Sequence, residues 1–260
     1  MIITTDAIVL RTIKYRDTSR IATLFTKEFG KVSVIAKGER ARAAKFGGSL
    51  NVFACVTAVL YWKEQRDLQF LSRCDLQKPF HRIGEDMERM AGAMMALELL
   101  DAVTHAEEKN PPLFALILDT LDALDQTPRN VSSILFFYQL HLLTILGFHP
   151  SFNHCCRCER SFAGDEAGNQ TYLLNASLGG AYCADCSVEQ QGTEYLCAGS
   201  LRTLQHFQTL KSPLEAASLS VAPQVRGEVS LALRQLLVSH VEGIRPLKSE
   251  TVFASMATQP

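Results

Sequence analysis

His154-Cys155-Cys156-Arg157-Cys158 and, after an insert of 24 residues, Cys183-Ala184-Asp185-Cys186 form two Cys-x-x-Cys pairs, the second led in by Gly179-Gly180-Ala181-Tyr182. Two residues between thiols let one turn of backbone aim both sulfurs at a single ion, and four thiolates are the ligand set of a closed tetrahedral zinc site. Gly179-Gly180 supplies a reversal that returns the second pair to the first. The insert exceeds the roughly 15–20 residues of the common spacing. Two other readings compete: a redox pair, which is normally single and sits on a βαβ pattern, and two disulfides, which need an oxidising compartment. The reading adopted is one structural Zn²⁺ held by Cys155, Cys158, Cys183 and Cys186, with His154 as an exposed or supporting neighbour and, as the alternative, a ligand in place of one Cys. Four thiolates leave no open position for a catalytic water.

Outward from this stretch, the chain changes character on each side. Of its 260 residues, 47% are apolar, enough to bury a core in one large or two modest domains. The other four of the eight cysteines, Cys55, Cys74, Cys156 and Cys197, have no spacing partner, which argues against a disulfide framework and for a reducing cytoplasm. The start, Met1-Ile2-Ile3-Thr4-Thr5-Asp6, has no basic region followed by an apolar one, so no secretory signal is expected. The most apolar run, 132–148, is interrupted by Ser133, Gln139, His141 and Thr144 and reads as a core helix.

Charge is divided along the chain. Residues 1–80 carry 14 Lys/Arg against 7 Asp/Glu, whereas residues 81–260 carry 12 against 20. A basic N-terminal part suits a polyanionic partner, although mutual compensation of the two halves would give the same tally. In that part Ile8-Val9-Leu10, Ile21 to Phe25, Val32 to Ile35, Val52 to Trp62 and Leu68 to Leu71 are short runs rich in β-branched and aromatic residues, separated by turn signals. Five such runs predict a small closed barrel, for which an OB-fold is the commonest nucleic-acid-binding solution; an SH3-like barrel fits the same pattern. Arg11, Lys14, Arg16 and Arg20, with the loop cations Lys37, Arg40, Arg42 and Lys45, are the candidate phosphate contacts. Tyr15, Phe46 and Phe53 are candidate stacking platforms for unpaired bases, set against the ordinary role of an aromatic in a small barrel, which is core.

From Pro79 the period becomes helical. Ile83, Met87, Met90, Met94 and Leu97 recur at three- and four-residue steps on one expected helix face. Their reading is core, with Met87, Met90 and Met94 as a candidate adaptable groove for an apolar partner segment. Further helices are expected over 113–124, 131–146, 200–210 and 225–241, so the cysteine stretch is an insertion within a helical domain. No P-loop surrounds Gly30-Lys31, since Phe25 stands five residues before Gly30. There is no His-Glu-x-x-His, no zinc-deaminase signature, and no nucleophile elbow at Gly47-Gly48. An enzyme is therefore the weaker reading.

Several segments together resemble a known family: residues 12–20 (Thr12-Ile13-Lys14-Tyr15-Arg16-Asp17-Thr18-Ser19-Arg20), residues 26–31, Ala36-Lys37-Gly38, Glu98-Leu99-Leu100, Leu146-Gly147-Phe148-His149-Pro150, the four cysteines, and Leu247-Lys248-Ser249. In this order they are similar to the bacterial RecO family of DNA repair proteins, in its zinc-containing form. One departure is Glu159-Arg160 directly after Cys158, where a Gly is more usual. The resemblance implies an α+β protein with a five-stranded OB-fold over residues 1–78 and an all-α domain over 79–260 with a zinc ribbon inserted at about 150–190. It implies no catalysis. It implies a recombination mediator that binds single- and double-stranded DNA and anneals complementary strands. With RecR, and in some members RecF, such a protein loads RecA on strands coated by single-strand-binding protein. The barrel cations named above would then form the DNA and RecR face of a cytoplasmic, nucleoid-associated protein. A protein-interaction scaffold without DNA binding is the alternative, and a metal-dependent nuclease is disfavoured by the closed thiolate set.

Overall fold

The computed structural model describes residues 1–38, 46, 49–163, 170–188 and 194–241. The expected cations Arg40, Arg42 and Lys45 and the segment Leu247-Lys248-Ser249 lie outside the described residues. The chain divides into two compact units, the first built on residues 1–126 and the second on residues 127–245.

In the first unit, strands β1 (Ile2–Tyr15), β2 (Ser19–Thr26), β3 (Gly30–Ala36), β4 (Cys55–Tyr61) and β5 (Leu68–Lys78) close into a barrel of order β1-β2-β3-β5-β4. β1 is long enough to serve two neighbours. Its first half pairs with β4, Ile2 opposite Tyr61 and Ile8 opposite Cys55, and its second half pairs with β2, Ile13 opposite Ile21. A bulge between Val9 and Arg11 turns the strand from one neighbour to the other. The barrel shuts where β3 runs parallel to β5, with Ser33 opposite Leu68 and Ile35 opposite Phe70. This crossover is that of an OB-fold and removes the SH3-like alternative. Strict alternation fills the interior: Val32, Val34 and Ala36 of β3 are buried while Lys31, Ser33 and Ile35 are half-buried on the outside.

A 3-10 turn (His81–Glu85) follows, then α1 (Met87–Val103) and α2 (Pro111–Gln126). The helical period that put Ile83 and Met87 on one helix face is thus broken at Asp86, an extended N-cap residue whose carboxylate accepts the Arg89 N–H at 2.9 Å. Of the expected core face, Ile83 and Leu97 are buried but the three methionines are not. Met87, Met90 and Met94 are 64%, 40% and 43% exposed, while Ala91, Met95, Ala96, Leu99 and Leu100 are buried. Apolar residues occupy every side of α1, so spacing could not choose among them, and the small alanines give the closer packing. Helices α1 and α2 belong to the barrel's compact unit, whereas the change of periodicity drew the line before them. Phe114 of α2 packs on Phe25 of β2, ring centroids 6.2 Å apart. Gly30 opens β3 at φ +65°, and a Cβ there would overlap the Glu108 carbonyl, so the chain after α1 lies directly on β3. Lys31 continues the contact, accepting the Glu107 N–H at 3.0 Å on its carbonyl.

In the second unit, α3 (Val131–Ile145) is buried over most of its surface, as its run of apolar residues requires, by α5 (Ala198–Thr209), α6 (Pro213–Ala217) and α7 (Pro223–His240). Phe136 meets Phe207 edge-on at 6.0 Å, and Ser133 donates to the Leu219 carbonyl at 2.7 Å. Between α3 and α5 stand β6 (Ser151–Cys155), β7 (Thr171–Asn175), β8 (Gly180–Tyr182), the single-turn α4 (Ala184–Ser187) and β9 (Tyr195–Cys197), whose strands form one sheet of order β6-β8-β7-β9. Among the described residues, no helix is long and apolar enough to cross a membrane.

Candidate metal centre and candidate nucleic-acid interface

The sheet β6-β8-β7-β9 brings the two cysteine pairs together. Cys155 ends β6 and its partner Cys158 follows in the turn; Cys183 follows β8 as the N-cap of α4, which carries Cys186. All four Sγ atoms lie within 4.8 Å of one another, and Cys158 Sγ is 3.8 Å from Cys183 Sγ. Four sulfurs set about 2.3 Å from a central zinc stand roughly 3.8 Å apart, so the gap suits one tetrahedral ion. Burial pushes the Cys155 thiol up, but the backbone N–H groups of Cys158, Cys183 and Arg157 outweigh it and bring it down to about 6. One of these is the Cys183 N–H, 3.4 Å from Cys155 Sγ. Burial raises Cys183, and burial with the surrounding thiols raises Cys186 to about 12. Cys155 is thus ready to ionise, whereas Cys183 and Cys186 need a cation's charge to follow. His154 is exposed, bridges to Ser161 and is not in the cluster. Glu159 takes a left-handed φ of +58° and its N–H donates to the Cys155 carbonyl at 3.0 Å, so the knuckle turns where a Gly would turn without strain. Gly180 is needed for packing, since a Cβ there would overlap Cys156 Sγ.

The expected barrel cations among the described residues fall into four settings. Lys14, Tyr15 and Arg16 are exposed together at the β1–β2 hairpin, the Arg16 guanidinium 5.3 Å from the Tyr15 ring centre. Arg20 is half-buried and donates to the Leu50 carbonyl at 3.4 Å. Arg11 and Lys31, a barrel cation outside the candidate contacts, both face Asp101 of α1, at 3.5 Å from Arg11 Nε and 3.0 Å from Lys31 Nζ. These two cations, with Thr23, Ser33, Arg66 and Glu107, line a cleft of about 210 Å³. Lys37 is exposed, its Nζ 5.7 Å from the Phe70 ring centre.

The candidate aromatics separate as well. Tyr15 is exposed, but Phe46 lies among the barrel's core residues at 3% exposure and has no face to offer a base. Phe53 is half-buried at φ +75°, its N–H bonded to the Val9 carbonyl at 3.0 Å. The sequence reading missed Tyr61 and Phe70, whose rings stand 5.7 Å apart on the outer side of β4 and β5. Their signal is parity: Leu60 and Leu71, one step away, are fully buried in the core.

A closed OB barrel, helices and a four-cysteine knuckle define an α+β protein with a candidate metal centre. The family models described as "Recombination protein O N terminal" and "Recombination protein O C terminal" match residues 1–80 and 84–251. The chain is 34% identical to the DNA repair protein RecO of Salinibacter ruber, over 98% of this chain and 94% of that protein. It is 31% identical to the namesake in Symbiobacterium thermophilum over 94% of each, and 42% identical to that of Chlorobaculum parvum over 60% of each. The chain belongs to the RecO family of DNA repair proteins.

Proposed function

We propose that this protein is a recombination mediator that binds single- and double-stranded DNA without reading sequence, anneals complementary strands, and acts with RecR to load RecA on strands coated by single-strand-binding protein. The match of both family models along the chain carries the reading. The exposed hairpin cations Lys14 and Arg16 support it, because cations on a barrel rim hold phosphates by releasing counterions and screen two strands from each other. Its chemistry is assembly, with no bond made or broken, and it works in the cytoplasm on nucleoid DNA. RecF is a further partner. The exposed Met87, Met90 and Met94 form an adaptable apolar face for the tail of single-strand-binding protein. Cys155, Cys158, Cys183 and Cys186 hold one structural Zn²⁺, which would tie β6 to α4 and keep the sheet closed. We assign DNA binding to the barrel of residues 1–78, and residues 79–260 supply the helices, the first two of them in the barrel's compact unit, together with the zinc ribbon.

Binding of labelled oligonucleotides tests this reading against that of a scaffold contacting proteins only. Reversal of Lys14 and Arg16 to Glu, and separately of Arg40, Arg42 and Lys45, is expected to weaken binding to all sequences alike. Unchanged DNA binding with loss of RecR binding would favour the scaffold.

A further inference from the structure

Register partners carry one row of apolar residues across all five strands on the outside of the barrel. Ile13 lies opposite Ile21, Ile21 opposite Ile35, Ile35 opposite Phe70, Phe70 opposite Tyr61, and Tyr61 opposite Ile2. Ile13, Tyr61 and Ile2 are 59%, 47% and 62% exposed, and Ile21, Ile35 and Phe70 are half-buried. Single exposed apolar side chains are ordinary on a protein surface, but an unbroken row marks a binding surface. With strands about 4.8 Å apart, the five steps wind roughly 24 Å around the closed barrel, from β1 back to β1.

The surroundings decide what fits the row. Its two rings are adjacent, Lys37 lies over one of them, and Arg11 stands on the same face two residues before Ile13. Arg66 and Lys63 are exposed in the loop that joins β4 to β5. That loop is held in place by the buried Gln69, which accepts the Lys63 N–H at 3.0 Å and donates to the Lys63 and Arg66 carbonyls at 2.9 and 2.8 Å. Asp101 is the counter-charge near Arg11. Flat rings with cations beside them match a chain that alternates flat bases with phosphates, the chemistry of a single strand, whose unpaired bases expose their faces. A duplex keeps those faces stacked inside and offers the rings nothing.

We infer that Tyr61 and Phe70 are the base-stacking platform of the barrel, and that Ile35, Ile21 and Ile13 extend it as an apolar track toward the β1–β2 hairpin. The inference rests on the DNA-binding reading proposed above and assigns its single-strand component to this row.

The test compares Phe70→Leu, Phe70→Tyr, Tyr61→Leu and Tyr61→Phe with the unaltered full chain, using a labelled oligothymidylate and a labelled duplex hairpin. Leu keeps the apolar bulk the fold requires and removes the ring. Each Leu variant is expected to bind oligothymidylate at least about fivefold more weakly, with duplex affinity unchanged, whereas the Tyr and Phe exchanges retain binding. Equal weakening toward strand and duplex, or Leu variants that bind the strand normally, would overturn the assignment and leave the DNA-binding reading standing. If Leu variants lose only a protein partner, the row is a protein interface and the assignment falls. Failure of the unaltered chain to bind any DNA would overturn both.

Discussion

Asp101 restrains the barrel's cations, and Asp101→Asn is expected to strengthen DNA binding. The Asp101 carboxylate faces Lys31 at 3.0 Å and Arg11 at 3.5 Å. Lys31 also donates to the Asp101 main-chain carbonyl at 2.7 Å, so it stays in place after the substitution. Arg11 has no such second anchor to α1 among the bonds described, and its side chain is 65% exposed, so it is the cation released. One more phosphate contact steepens the fall of log affinity with log salt by about 0.9 on duplex and about 0.7 on single strands. Between 50 and 200 mM salt, the steeper duplex slope adds roughly a 3.5-fold loss, so the variant's advantage is greatest at low salt. Lost pairing with Lys31 costs on the order of 1 kcal/mol of stability, too little to unfold a domain. Anisotropy titrations of a labelled duplex across that salt range measure the slope. An unchanged slope, or weaker binding at low salt, would refute the reasoning.

Cys183→Ser is expected to abolish binding of one equivalent of zinc and loosen the sheet β6-β8-β7-β9, whereas Cys156→Ser, outside the tetrad, retains the metal; metal analysis of purified variants decides. Glu159→Gly relieves the left-handed turn and should raise stability by about 0.5–1 kcal/mol, read from the denaturant midpoint. Glu228 of α7 accepts the Cys197 N–H at 2.8 Å and the Ser200 hydroxyl at 2.6 Å; burial raises its pKa, but these bonds outweigh it and hold the carboxyl below its ordinary value. Its stabilisation is therefore present above an unfolded pKa of about 4.3 and lost as pH falls through the lower folded value. Glu228→Gln should cost about 1.5–3 kcal/mol at pH 7, with a deficit that shrinks below pH ~4, and urea unfolding at both pH values checks it.

Legibility in the sequence followed the range of the interaction. The cysteine tetrad was readable because each pair closes within one turn, and the barrel because β3 alternates without interruption. β1 was read as only Ile8-Val9-Leu10, since Thr4, Thr5 and Asp6 look polar until β4 lies beside them. The faces of Tyr61 and Phe70 follow from parity against the buried Leu60 and Leu71, but their adjacency is set only by the pairing of β4 with β5. On α1 the spacing placed Leu97 in the core correctly but put Met87, Met90 and Met94 beside it, where Ala93, Met95, Ala96, Leu99 and Leu100 are the residues buried. The short α6 escaped notice, although Ser212 caps it by accepting the Glu215 N–H and Pro213 sits in its first turn, a local signal readable from Ser212-Pro213-Leu214-Glu215. Arg11 and Lys31 converge on Asp101 across some 70 to 90 residues, and no local pattern announces such a pairing.

Annealing of complementary oligonucleotides, followed by fluorescence with and without single-strand-binding protein, tests the central claim most directly. The unaltered protein is expected to accelerate pairing under both conditions, and the Lys14→Glu/Arg16→Glu variant is expected to lose most of that acceleration while keeping its fold. Absence of acceleration by the folded, zinc-loaded protein would contradict the account.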